Sequence, residues 1–233
     1  MLCFDYRGIG QSRPASLRGY RMDLLDWGRQ DLAAAVALMA AGDGPLYLVG
    51  HSYGGHALGL LPNQAHIAAS VFFATGAGWH GWMPPLERLK VQLMWNWVLP
   101  PLNRWKGYSP WQRLGLGEDL PLDVFRQWRH WCRFPHYFFD DPAVPEIAPA
   151  FARVRSPILA VNALDDLWAL PASRDAFLQG YRNAAITCRD IDPRTHGGAV
   201  GHMGYFRAHA QPLWQQALDW LRQQAGAPAP ARA

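Results

Sequence analysis

Ser52 lies in the run Gly50-His51-Ser52-Tyr53-Gly54, and a serine between glycines at this spacing can act as a nucleophile when a strand precedes it and a helix follows. The apolar run Leu46–Val49 reads as a buried strand, and His56–Leu61, after a further glycine at Gly55, can begin a helix. A serine held in so sharp a turn is expected to adopt a positive φ, a strained conformation that costs on the order of 1–3 kcal/mol. Gly50 and Gly54 would give that turn its room. The hydroxyl would then stand above the sheet beside a helix N-terminus, where developing negative charge is favoured. A plainer reading of the same residues is a Gly-rich turn whose serine only caps the helix.

A nucleophilic serine needs a base, and the base needs a carboxylate to orient it; both usually come from distant parts of the chain. Asp165 and Asp166 follow the strand-like run Ile158–Ala163. His196 and His202 lie in the Gly-rich stretch His196–Gly204, after a second strand candidate at Ala185–Ile191. The order Ser, Asp, His, each just beyond a strand, is that of α/β-hydrolase sheets and differs from the orders in chymotrypsin and subtilisin.

With the turn Phe4-Asp5-Tyr6-Arg7-Gly8-Ile9-Gly10-Gln11-Ser12, the Ser52 elbow, Asp165–Ala169 and Gly201–Arg207, the chain resembles the α/β-hydrolase superfamily over almost its whole length. Within it, the chain is similar to a bacterial branch near serine aminopeptidases and monoglyceride-lipase-like enzymes. The resemblance implies an α/β-hydrolase fold, a mostly parallel sheet with helices on both faces and a helical cap. It assigns Ser52 as nucleophile, His202 as base and the backbone N–H of Tyr53 as an oxyanion donor. For the acid it favours Asp166 over Asp165, because Asp166-Leu167-Trp168-Ala169 reproduces a one-residue step into an aromatic–small pair, although Leu170 stands where a proline is common. Asp192, after a later strand, is a weaker choice. The family also has a hairpin, a further strand and a loop with the second oxyanion donor ahead of the strand ending at Asp5. The chain is therefore expected to be N-terminally truncated relative to the family, with a sheet that has a gap or pairs Met1–Asp5 directly with Leu46–Val49.

The elements needed to position these residues can be read along the 233 residues. Strands are expected at Met1–Asp5, Leu46–Val49, Ile67–Phe73, Ile158–Ala163 and Ala185–Ile191. Helices are expected at Met22–Ala41, from the elbow to Leu61, near Ala172–Leu178 and at Tyr205–Gln224. Alternation of this kind predicts a parallel sheet covered on both faces. The alternation stops from Gly76 to about Ala150, a stretch with eight of the twelve tryptophans and no readable strand. The expected organisation is a core in two parts, 1–76 and 151–225, a helical cap over 77–150, and a disordered Ala/Pro-rich tail at 226–233. The cap tryptophans can line an acyl pocket or pack the cap onto the core, with a homodimer contact as a further use.

Half the residues are hydrophobic and 17% are charged, which fits a globular chain. The net charge of +4 is spread without a basic run, giving no footprint for nucleic acid. Cys3, Cys132 and Cys188 are odd in number and far apart, and are read as reduced thiols in a cytoplasmic protein. No uncharged apolar run approaches the roughly 20 residues of a membrane span. His51 is expected to support the elbow rather than react. His196 with Asp192 fits no metal-ligand spacing, and Gly8-Ile9-Gly10 fails as a dinucleotide loop, so neither metal nor cofactor is expected. Together these readings predict a serine hydrolase that cleaves an ester or related acyl bond of a small apolar substrate through an acyl-enzyme. The alternative is an inactive hydrolase-like chain that serves as a binding protein.

Overall fold

The computed structural model describes residues 1–115 and 117–225; the tail expected at 226–233 lies outside the described residues. Four strands, β1 (Leu46–His51), β2 (Ile67–Phe73), β3 (Ile158–Ala163) and β4 (Ile186–Ile191), form one sheet in the order β1-β2-β3-β4. Every pairing is parallel. Side chains alternate across the sheet. Phe72, Ile158 and Ala160 join one core with Leu58, Phe151 and Phe177, while Val71, Phe73, Leu159 and Val161 join another with Leu213, Ala217 and Leu221. The first face is covered by α1 (Ala33–Met39), α2 (Tyr53–Leu60), α6 (Ile147–Ala152) and α7 (Pro171–Leu178), and the second by α8 (Gln211–Ala225). Both faces are closed, as a parallel sheet requires.

The strand expected at Met1–Asp5 does not form. A strand needs a neighbour to complete its ladder. Among the described residues β1 pairs only with β2, and Leu2 and Phe4 remain exposed. The chain is instead anchored just beyond, where Arg7 bonds and pairs with Asp31, and Tyr6 stacks on Trp27 with ring centroids 5.2 Å apart. The helix expected from Met22 also begins late. Asp23 Oδ1 accepts the Leu25 N–H in a turn, and a π-helical segment at Trp27–Leu32 leads into α1. At Tyr205, in the same way, a turn and a short 3-10 segment at Ala208–Ala210 precede α8.

Residues between β2 and β3 carry α3 (Pro85–Leu93), α4 (Leu99–Lys106) and α5 (Leu122–Trp131), with a π-helical segment at Met94–Val98 joining the first two. Among the described residues the only strand-like contact here is a single bridge between Ser109 and Leu120. Trp95, Trp111 and Trp131 are buried in the packing of this region, whereas Trp97 and Trp105 face solvent. Gln127 fastens it to the first part of the chain by accepting the Leu24 N–H at 2.7 Å and donating to Asp23.

Candidate active site

Ser52 occupies the step from β1 to α2 with φ 52° and ψ −109°. Its backbone is held on both sides: Ser52 N–H donates to Phe73 O at 2.8 Å, and Ser52 O accepts from Thr75 Oγ1 and Gly55 N–H. The steric demand falls on Gly50, as expected, and on Gly55 in place of Gly54. A methyl at Gly50 would press into the backbone of Gly54, and one at Gly55 would run into the Thr75 side chain. A methyl at Gly54 would meet nothing within 4 Å. Gly55, not Gly54, is the second residue that the turn cannot enlarge, because Thr75 lies against it from the end of β2.

His202 reaches this serine from the loop between β4 and α8. Its Nε2 is 3.1 Å from Ser52 Oγ, and its Nδ1 is 3.0 and 3.1 Å from the two carboxylate oxygens of Asp166. With the carboxylate on one side, Nδ1 carries the ring proton and Nε2 is free to accept from the serine hydroxyl. Asp166 is fully buried, and its Oδ1 also accepts the N–H groups of Trp168 and Ala169. This is where the spacing past Asp166 matters, since the turn Asp166–Ala169 wraps its amides around the carboxylate. Asp165 points elsewhere, with Oδ2 accepting the Val200 N–H at 2.9 Å, and so ties the histidine loop to the loop after β3. Asp192 is half-buried and held by Arg194, whose hydrogen bonds lower its pKa to about 2. His196 bonds locally to Thr195 and to the Asp192 carbonyl. Among the described residues no cluster of three or more His, Cys, Asp or Glu could hold a metal.

Two residues support the histidine in ways that spacing alone did not reveal. His51 Nε2–H donates to the His202 carbonyl at 2.7 Å, with the rings 5.1 Å apart. Burial lowers the His51 pKa despite that hydrogen bond. Tyr205 is buried beneath the loop, and its hydroxyl oxygen accepts the Ala163 N–H at the end of β3 at 2.6 Å. Burial, followed by the nearby Asp166 charge, raises its pKa. Tyr53, next to Ser52, is the first residue of α2, so its N–H has no carbonyl within the helix to bond. The Tyr53 hydroxyl donates to Leu24 O at 2.7 Å, and its ring meets Tyr6 and Trp27 edge-on. From the acid loop, the Trp168 ring lies 6.1 Å from that of His202, and Trp168 Nε1–H donates to Glu87 of α3 at 3.2 Å.

A sequence model described as the alpha/beta hydrolase family matches residues 1–213. The chain belongs to the alpha/beta hydrolase family. Solved members with this fold include BpoC of Mycobacterium tuberculosis, named as a non-heme bromoperoxidase, at 17% identity and TM-score 0.56, covering 96% of this chain and 81% of that one. A thermophilic esterase from Thermogutta terrifontis matches at 16% identity and TM-score 0.53, over 95% and 79% of the two chains. A monoacylglycerol lipase from Paleococcus ferrophilus matches at 10% identity and TM-score 0.51, over 86% and 76%. No curated protein sequence matches the chain. Membership in the alpha/beta hydrolase family supports a hydrolase acting on a small-molecule substrate. No described helix of this family member is long and apolar enough to cross a membrane.

Proposed function

We propose that the protein is a serine hydrolase that cleaves a carboxylic ester, or a related acyl bond, of a small apolar substrate. The observation that carries this reading is the continuous set of contacts from Ser52 Oγ through the His202 ring to the buried Asp166 carboxylate. In the first step Ser52 Oγ attacks the acyl carbonyl while His202 Nε2 takes its proton. The bond to the leaving group then breaks as Nε2–H returns that proton to it, leaving an ester on Ser52. Water enters by the same route, and the acid product leaves with the serine hydroxyl restored. Asp166 holds the tautomer and stabilises the imidazolium at each stage. The Tyr53 N–H supplies one donor to the oxyanion, supported by the N-terminal end of α2.

The apolar character of the substrate is supported by Leu167 and Met203, the residues directly after Asp166 and His202, and by Phe206, all of which leave much of their side chains exposed beside the site. Names of esterase and lipase among the proteins of like fold agree with ester cleavage. The test is a fluorophosphonate probe added to the parent protein and to Ser52→Ala, read by intact mass. One adduct on the parent and none on the variant is expected. A folded parent that takes no adduct would leave Ser52 without activation and favour the non-catalytic alternative.

A further inference from the structure

The helical run from Pro85 to Lys106, made of α3, the π-helical segment and α4, turns one face to the core and an apolar one to solvent. Val91, Trp95, Leu99 and Asn103, every fourth residue, are buried. Opposite them Leu86, Leu89, Leu93, Trp97, Val98 and Trp105 stand exposed, Leu86 and Trp105 at 66% and Trp97 at 75%. A straight α-helix would carry Trp105 about 100° off the line of Leu86. The π-helical segment takes in about one residue more per turn, which brings Trp105 back onto that line. The stripe therefore runs the whole length of the helix.

Large apolar residues scattered singly over a surface need no explanation, but a continuous row of them does. The two tryptophan rings alone leave on the order of 200–350 Å² open. With the leucines and Val98 beside them, the patch reaches the size that marks an interaction surface. The charges along it have one sign. Arg88, Lys90, Arg104 and Lys106 are the basic residues of the run, and Glu87 is its only acid. Glu87 is half-buried and already occupied, by Lys90 at 3.6 Å and by Trp168 Nε1–H at 3.2 Å. By helical position, Lys90 and Lys106 border the stripe on one side and Arg104 on the other. Lys106 Nζ lies 4.2 Å from the centre of the Trp105 ring. A cation held over an exposed indole suits the boundary between lipid headgroups and acyl chains, where the ring enters and the ammonium stays with phosphate.

We propose that this stripe docks the protein on an anionic lipid surface, its leucines and tryptophans in the headgroup–acyl boundary and its cations among the phosphates. The run lies on the bilayer and does not cross it, since no described helix is long and apolar enough to span. A second copy of the chain fits the stripe less well, because two such stripes face to face set like charges along both borders. The proposal does not depend on the hydrolytic reading. The bond from Trp168 to Glu87 nonetheless fastens the docked helix to the loop that carries Asp166.

Vesicle flotation of the full chain tests this, with vesicles of equal parts phosphatidylcholine and phosphatidylglycerol and vesicles of phosphatidylcholine alone. The parent should float with the mixed vesicles, with a blue shift of tryptophan emission, and bind the neutral ones at least about tenfold less. Binding to the mixed vesicles should fall about tenfold in Trp97→Ala with Trp105→Ala. Lys90→Gln with Arg104→Gln should weaken it by about tenfold as well. Leu38→Ser, which alters a similarly exposed leucine on α1, should leave it unchanged. Circular dichroism checks the folding of each variant, and should the tryptophan pair fail to fold, the charge pair decides. The proposal is overturned if the parent floats with neither vesicle or with both alike, or if the folded stripe variants bind as the parent does. It is also overturned if sedimentation shows a dimer that Trp97→Ala with Trp105→Ala converts to monomer, which would mean that a second copy covers the stripe.

Discussion

The elbow at Gly50–Gly55 and the tryptophan-rich region between β2 and β3 are built on opposite terms. In the elbow, position is set by backbone: a strained serine, two glycines that admit no side chain, and hydrogen bonds to the Phe73 carbonyl and from the Thr75 hydroxyl. In the helical region, position is set by large side chains packed around Trp95, Trp111 and Trp131, with polar atoms such as Trp95 Nε1 left unpartnered along the way. A backbone-defined site tolerates little change in atoms but needs few residues. A packed aromatic layer spreads its stability over many residues and leaves room for cavities and exposed members such as Trp97.

The sharpest way to break this contrast lies in the acid pair. Asp166→Asn should lower kcat on a nitrophenyl ester by about 10⁴-fold, because an amide no longer selects the His202 tautomer. Asp165→Asn should cost less than about tenfold, since its carboxylate meets a backbone N–H and not the ring. Equal losses would undo the assignment of Asp166. In the packed region, Trp131→Ala should destabilise by about 3–5 kcal/mol in urea unfolding, through lost volume and the lost bond to Asp141.

The two regions meet at His56, which sits in α2 among Tyr137, Phe138 and Phe177 and donates Nε2–H to Gly76 O at 2.9 Å. Burial lowers its pKa from 6.5 to about 4. Between those values the unfolded chain holds the proton and the folded protein does not, so stability falls as pH drops through that window, by about 3 kcal/mol in total. His51, also lowered by burial, acts with the same sign. Urea titrations from pH 7 down to 4 measure the slope, and a flat profile would argue against a neutral buried His56.

Smaller effects refine the comparison. His51→Phe keeps a ring against His202 but loses the bond to its carbonyl, and should lower kcat about five- to tenfold with little change in KM. A rise in KM alone would mean that His51 contacts substrate instead of steadying the base. At the bottom of the scale, Gly54→Ala and Trp97→Ala should each shift stability by less than about 0.5 kcal/mol, the first entering open space and the second removing an exposed ring. A large loss in Gly54→Ala would show that the turn is tighter than its backbone implies.

β2 and β3 were legible to the residue as Ile67–Phe73 and Ile158–Ala163, because a strand buried on both faces is a continuous apolar run bounded by turn residues. That Ser52, Asp166 and His202 come together was legible for a related reason: side chains on loops at strand ends leave short local signatures in a fixed order. Other features depended on who stands next to whom. Whether Met1–Asp5 pairs was not a property of those five residues but of the free edge of β1. Thr75 making Gly55 indispensable and His51 reaching the carbonyl of His202 each join residues that stand on separate elements. The sequence by itself determined the four paired strands, the elbow and the order of Ser52, Asp166 and His202, since local sterics and periodicity are written residue by residue. Only the tertiary structure decided which of the two neighbouring aspartates meets His202, because adjacent residues on a turn point in different directions and the folded loop selects one.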